Sequence, residues 1–327
     1  TKVYSYTNGD LQFKELFPTR GFQASSEPMI HFGYRNAEQI DSIKIIWPNR
    51  TYQVLQNVPV NQTITVKPEN TKPFDYNTLR KAKKPRFTLV ENNLGLDFEH
   101  IEDNYTDFNR EKLIPYQISD RGPALAIGDL NGDDKEDVFL GGSKYEPSQI
   151  YIQQDSSFVN QKFDSIQTDS IRENISATIA DLNNDGKNDL IVSSGGGDFY
   201  GKSTPLLDAY YVQKDTIFNS AELPEFYQNS SVVRPFDFDN DGDLDIFIGG
   251  HTITAKFGKP ATSFLLENDG GTFKVYKKFD GLGNGMVTDA IWSDFDQDNT
   301  TDLILVGEWM SPKFLKYQNG AFTEIEQ

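Results

Sequence analysis

An acidic nonapeptide is written four times in this chain: DLNGDDKED from Asp129, DLNNDGKND from Asp181, DFDNDGDLD from Asp237 and DFDQDNTTD from Asp294. Side chains bearing oxygen fall at positions 1, 3, 5 and 9 of every copy, and the copies recur about every 55 residues. A fixed period of that length requires one supersecondary unit per repeat. It leaves little room for a fold built on a single continuous pattern.

The chemistry of one copy is that of a calcium loop. Calcium takes six to eight oxygens, and a short loop encloses it when alternate side chains point inward around a sharp backbone turn. The expected side-chain ligands are Asp129, Asn131, Asp133 and Asp137; Asp181, Asn183, Asp185 and Asp189; Asp237, Asp239, Asp241 and Asp245; and Asp294, Asp296, Asp298 and Asp302. Position 7 (Lys135, Lys187, Asp243, Thr300) varies in chemistry, as it can if only its carbonyl binds. Position 6 (Asp134, Gly186, Gly242, Asn299) holds residues that accept positive φ more readily than most. Asp, Asn and Gly also make ordinary turns, but four copies in register exceed what turns require. An EF-hand needs flanking helices and a Glu at position 12, and neither is present.

Short apolar runs flank each copy, such as Ala124–Gly128 and Val138–Gly142, and read as strands joined through the loop. A hairpin follows in each period, from Gln149, Ala209, Ser263 and Lys313, with Asp, Asn or Gly at its tip. Each period therefore holds four antiparallel strands, A to D, with the acidic loop between A and B. The fold class is all-β, made of four-stranded β-propeller blades and a small β-rich N-terminal domain.

These repeats, from Phe98 to the C-terminus, resemble the FG-GAP/VCBS family, whose members include the calcium-binding blades of integrin α-chains. The resemblance implies about four calcium ions here, within a propeller of about seven blades, so further blades would lie outside this sequence. Residues 1–69 resemble the ASPIC/UnbV domain. His31, Phe32 and Gly33, then Asp41, Ile43, Ile45, Trp47 and Pro48, then Asn57, Val58, Pro59, Asn61 and Gln62 carry that likeness, with the opening strand expected to be missing before Thr1. The two domains occur together in the family that includes cartilage acidic protein. Residues 70–97 are expected to be linker and lead-in, since Pro68 to Pro85 is polar, rich in Pro and Lys, and lacks apolar alternation. The lead-in to the first repeat also resembles long VCBS proteins of Bacteroidetes. That likeness implies a surface protein accessory to an outer-membrane SusC/SusD-like uptake system, with transporter components among its partners.

The formal net charge of −18 argues against neutralising nucleic-acid phosphates. Much of it lies in the acidic loops, where apo carboxylates repel one another, so a calcium-dependent fold is expected. Millimolar extracellular calcium suits such loops, which favours the cell surface, and no apolar run is long enough to span a membrane. Cysteine is absent, so neither disulfides nor thiol chemistry is available.

The B–C loops should open on the face opposite the acidic loops. Tyr145, Phe199, Tyr200, Lys202, His251, Phe257 and Trp309 lie there, and aromatics beside polar groups suit a protein or glycan ligand. The competing reading is that Phe199, Phe257 and Trp309 plug gaps between blades. His31 reads as a packing residue, and no nucleophile–base order, HExxH or phosphate-cradling loop appears. The expectation is a non-catalytic binding or scaffold protein; the alternative is a polysaccharide lyase or glycosidase on a calcium-bound propeller.

Overall fold

The computed structural model describes residues 1–79, 87–215, 217–280, 282 and 285–325. The chain divides into two compact units, Thr1–Leu89 and Val90–Gln327.

The first unit is one antiparallel sheet. Its strands β1 (Lys2–Thr7), β2 (Asp10–Glu15), β3 (Gln39–Ile46), β4 (Thr51–Pro59) and β5 (Lys72–Pro73) lie in the order β2-β1-β3-β4-β5. The β3–β4 hairpin forms where the sequence places it, with Trp47 N–H donating to Thr51 O at 2.8 Å and Arg50 at φ 60°. Val3, Ile40, Ile43 and Ile45 make the core, against which Phe32, Trp47, Leu55 and Val58 pack.

Three expectations need correction here. The β1–β2 hairpin lies in a stretch that sequence reading left unassigned, because its outward-facing Leu11 and Phe13 are exposed and blur the alternation. The segment from Pro68, read as linker, contributes β5 to the sheet and buries Phe74; residues 80–85 of that linker lie outside the described residues. His31 is exposed, and the neighbouring Phe32 does the packing.

Among its described residues the second unit contains four four-stranded antiparallel sheets, each in simple sequential order. The first is β6 (Leu125–Gly128), β7 (Asp137–Leu140), β8 (Gln149–Gln153) and β9 (Phe158–Gln161). The second is β10 (Glu173–Ala180), β11 (Asp189–Gly195), β12 (Ala209–Lys214) and β13 (Ile217–Ala221); Thr216, at its hairpin tip, is outside the described residues. The third is β14 (Ser230–Phe236), β15 (Asp245–Gly250), β16 (Ser263–Asp269) and β17 (Thr272–Phe279). The fourth is β18 (Met286–Ser293), β19 (Asp302–Glu308), β20 (Lys313–Gln318) and β21 (Ala321–Glu324).

First strands of consecutive sheets are neighbours, β6 beside β10, β10 beside β14 and β14 beside β18, as expected of propeller blades. Three apolar cores sit between them: Phe139, Ile150 and Leu190 between blades 1 and 2, Ile191, Ile246 and Leu266 between 2 and 3, and Phe247, Leu265 and Leu303 between 3 and 4. Burying one such side chain contributes about 1.5–3 kcal/mol. The interfaces between blades therefore hold the unit together.

Register makes equivalent positions comparable. Ala177, Val233 and Ala290 are buried against the preceding blade, whereas Leu125, at the same place in blade 1, is 56% exposed. On the other face, Thr178 Oγ1 donates to Val233 O at 3.1 Å and Arg234 Nε to Ala290 O at 2.9 Å, each reaching the next blade. Ile291, their counterpart in blade 4, is 57% exposed.

Candidate functional sites at the two ends of the blades

The acidic loops join β6 to β7, β10 to β11, β14 to β15 and β18 to β19, all at one end of the blades. Each is wound by its own side chains. The position-1 carboxylate accepts the N–H of position 6: Asp129 from Asp134 at 2.8 Å, Asp181 from Gly186 at 2.9 Å, Asp237 from Gly242 at 3.1 Å and Asp294 from Asn299 at 2.9 Å. It also accepts the N–H of position 5, while the position-5 side chain accepts the N–H of position 7. Position 6 has positive φ in every copy, from 62° at Asp134 to 99° at Gly242. Position 4, which sequence reading did not single out, is also left-handed, with Gly132, Asn184, Asn240 and Gln297 at 56–78°.

Position 9 is buried in all four copies, and in the first three it has a second role. Asp137 accepts from Leu130 N–H and, across to the third strand, from Gln153 N–H, both at 2.8 Å. Asp189 accepts from Leu182 and Gln213, and Asp245 from Phe238 and Asn268. This carboxylate pins the loop to strand C. Burial pushes Asp137 and Asp189 above the usual carboxylate range and Asp245 up to about 7, even though the backbone N–H groups pull the other way.

Oxygens converge in the last two loops. One oxygen each from Asp237, Asp239 and Asp245 lies within 4.8 Å of the others, and the same holds for Asp294, Asp296 and Asp298. The fourth loop then departs from the pattern. Both oxygens of Asp302 are buried and have no hydrogen-bond partner among the described residues. Lys316, from β20, places its ammonium on Asp298 and, at 2.7 Å, on Asp296. Its hydrogen bond holds Asp298 down to about 2. Position 7 tethers the loop to the neighbouring hairpin tip where Lys135 meets Asp155 at 3.1 Å and Asp243 accepts from Gly270 N–H at 2.8 Å.

The opposite end is built differently from what the B–C loops alone suggest. Residues 101–116 cross it as a strap that touches the end of every blade. Ile101 O accepts from Ser143 of blade 1, and Arg110 Nη1 donates to Gly197 O of blade 2 at 3.0 Å. Glu111 Oε1 accepts from Phe257 N–H of blade 3 at 2.7 Å, and Tyr116 OH donates to Glu308 of blade 4. Buried Asp107 ties the strap to the residues that follow it, accepting from Ile118 N–H, Ser119 N–H and Ser119 Oγ at 2.7–2.9 Å. A Cβ on Gly197 would meet Asp107 Oδ1 at 1.7 Å, so only glycine lets blade 2 approach this close.

The strap reassigns several expected ligand residues. His251 is fully buried, and Phe257 packs edge-on to Tyr116 and Trp309 with centroids 5.8 and 5.6 Å away. Burial first, then nearby Arg121, lowers His251 to about 4 against the opposing pull of Glu308, so it is neutral at pH 7. Phe199 is half-buried beside Lys144, which lies 5.5 Å from its ring and bridges Asp103 (2.8 Å) and Asp198. Burial is the largest influence on both carboxyls: it wins at Asp198 and raises it, whereas at Asp103 the Lys144 ammonium and the Tyr105 N–H outweigh it and hold the carboxyl below its usual value. Tyr145, Tyr200 and Trp309 stay 65–66% exposed, with Arg110 stacked 4.8 Å from the Tyr200 ring. Lys202 is exposed, 5.8 Å from the Tyr227 ring. The strap residues Asp103, Tyr105, Arg110 and Tyr116 were missed because they carry no repeat signal.

Comparison with known proteins fits this architecture. Residues 1–73 match the family model described as ASPIC and UnbV, and residues 129–192 match that of the FG-GAP-like repeat. The chain thus combines an ASPIC/UnbV segment with FG-GAP-like repeats on an all-β, blade-like fold. No curated protein matches. Among solved structures, one titled as a cryo-EM structure of RAG in complex with one melted RSS and one unmelted RSS is similar at 13% identity and TM-score 0.38. The match covers 63% of this chain and 65% of that one. A likeness that loose carries no argument. Among the described residues no helix is long and apolar enough to cross a membrane, which says nothing of membrane β-barrels.

Proposed function

We propose that this chain is a non-catalytic binding or scaffold protein of the cell surface, with calcium in its acidic loops and a ligand face at the strapped end. The observation that carries the calcium reading is the shared winding of the four loops. Backbone N–H groups occupy one side of the position-1, -3 and -5 side chains, and in the third loop three carboxylates face one another within 4.8 Å. So much negative charge in contact calls for a hard cation, and an all-oxygen set suits Ca2+. Carboxylate oxygens converge in the third and fourth loops, but in the fourth Lys316 competes for them, and in the first Lys135 stands 3.9 Å from Asp133. Bound there, Ca2+ would supply charge neutralisation and rigidity.

The ligand face reduces to what the strap leaves open, namely Tyr145, Tyr200, Lys202 and Trp309. Separated exposed aromatics with adjacent cations suit stacking on a sugar or gripping a polar protein edge. Service to an outer-membrane uptake system, with transporter components as partners, is the setting carried by the sequence resemblance. A glycan array read in millimolar calcium, paired with a reducing-end assay, tests this. Saturable binding without turnover, weakened at least about tenfold by combined Tyr200→Ala and Trp309→Ala, is expected; new reducing ends from a bound glycan would overturn the non-catalytic reading.

A further inference from the structure

Away from the calcium loops, a histidine and two glutamates meet where the strap joins blade 2. His100 Nε2 lies 2.6 Å from Glu102 Oε1, and one ligand atom each from His100, Glu102 and Glu173 falls within 4.8 Å of the others. Glu173 opens β10, is 4% exposed, and among the described residues its Oε1 has no hydrogen-bond partner; the buried His100 Nδ1 has none there either. A buried carboxylate oxygen left bare is costly unless something compensates it. The ammonium of Lys144, which lines the same cavity as Glu173, is already held by Asp103 and Asp198.

The surroundings keep this spot open. A Cβ on Gly122 would stand 3.0 Å from Glu173 Oε1 and 3.1 Å from His100 Cε1. Glu102 and Glu173 also line a small cavity with Asp103, Ser119, Lys144, Asp198 and Phe199, so a group bound between them has access to it. We infer that His100, Glu102 and Glu173 form a site for a divalent transition cation of the Zn2+ class, chemically distinct from the oxygen-only loops at the other end. An imidazole with two carboxylates prefers Zn2+ or a neighbouring first-row ion over Ca2+, and three protein ligands leave a coordination position for water. The cation joins the strap to the first strand of blade 2. The alternative is that His100 and Glu102 only hydrogen-bond to each other beside Glu173, with no affinity for metal.

The experiment uses the full chain stripped with EDTA and returned to millimolar Ca2+. Zn2+ is titrated by calorimetry, and Co2+ is added separately to read visible d–d absorption. About one Zn2+ per chain, undiminished by excess Ca2+, and Co2+ bands displaced by Zn2+ are expected. His100→Gln and Glu102→Gln should each weaken binding at least about tenfold, with Glu222→Gln, an exposed carboxylate outside both sites, as the unaffected control. Should His100→Gln fold poorly, the half-exposed Glu102 position and an anomalous-scattering peak between the three side chains in wild-type crystals decide. No Zn2+ bound to the folded chain, unchanged binding in Glu102→Gln, or a peak elsewhere would overturn the site.

Discussion

The two ends of the blades are organised by opposite logic. At one end, four acidic loops each satisfy their own backbone within nine residues, so the pattern that makes them is local and repeated. At the other, a single strap gathers side chains from four blades, and its partners lie up to 192 residues away in sequence. A local device can be copied and read in a sequence; a long-range assembly appears only when the chain folds. The first sets blade geometry, and the second decides which aromatics a ligand can reach.

The largest expected effect separates the ends directly. Chelating calcium should destabilise the second unit by about 2–3 kcal/mol for each site held a hundredfold above its Kd, and melts in EGTA against millimolar calcium measure it. If the strapped end governed stability instead, chelation would barely move the transition. Next comes position 9. Asp189→Ala strips the acceptor from Leu182 and Gln213 N–H groups and from the Tyr210 hydroxyl, for a loss of about 2–4 kcal/mol. That loss should persist in chelator, because the pinning needs no metal; a loss seen only with calcium would make Asp189 purely a ligand.

pH sharpens the comparison further. Asp245 titrates near 7 in the folded chain, above its unfolded value of about 3.9. Between those values the folded state holds the extra proton. In chelator, its contribution to stability is therefore full below about pH 4 and is lost as pH rises through 7. Calcium requires the ionised form, so the calcium-induced stabilisation should grow over the same interval. Asp245→Asn should flatten both trends in chemical denaturation measured from pH 4.5 to 8.

A smaller effect is expected at the fourth loop. Lys316→Met removes the ammonium from Asp296 and Asp298 and should raise that loop's calcium affinity roughly tenfold by calorimetry. Unchanged affinity would mean that Lys316 yields freely to the ion. Smallest of all, Tyr200→Ala should leave stability within about 0.5 kcal/mol, as exposed positions do, while ligand binding falls.

What was legible in the sequence follows this division. The loop positions, the A–B and C–D strand pairs and the left-handed residues at position 6 could be read because each depends on neighbours a few residues away. The double duty of position 9 was hidden, since an Asp that binds a cation and one that caps two backbone N–H groups look alike in one dimension. The burial of His251 and Phe257 under Tyr116 was hidden for another reason. Nothing in residues 101–116 repeats, and nothing near Gly197 in the sequence points to the Asp107 carboxylate that fills the space beside it.

Native mass spectrometry of the full chain, counting bound calcium across a calcium titration, tests the central claim most directly. Three ions should bind together at low calcium, with a fourth entering later and joining the others in Lys316→Met. A chain that remains metal-free in millimolar calcium would reduce the acidic loops to self-bonded turns and contradict the account.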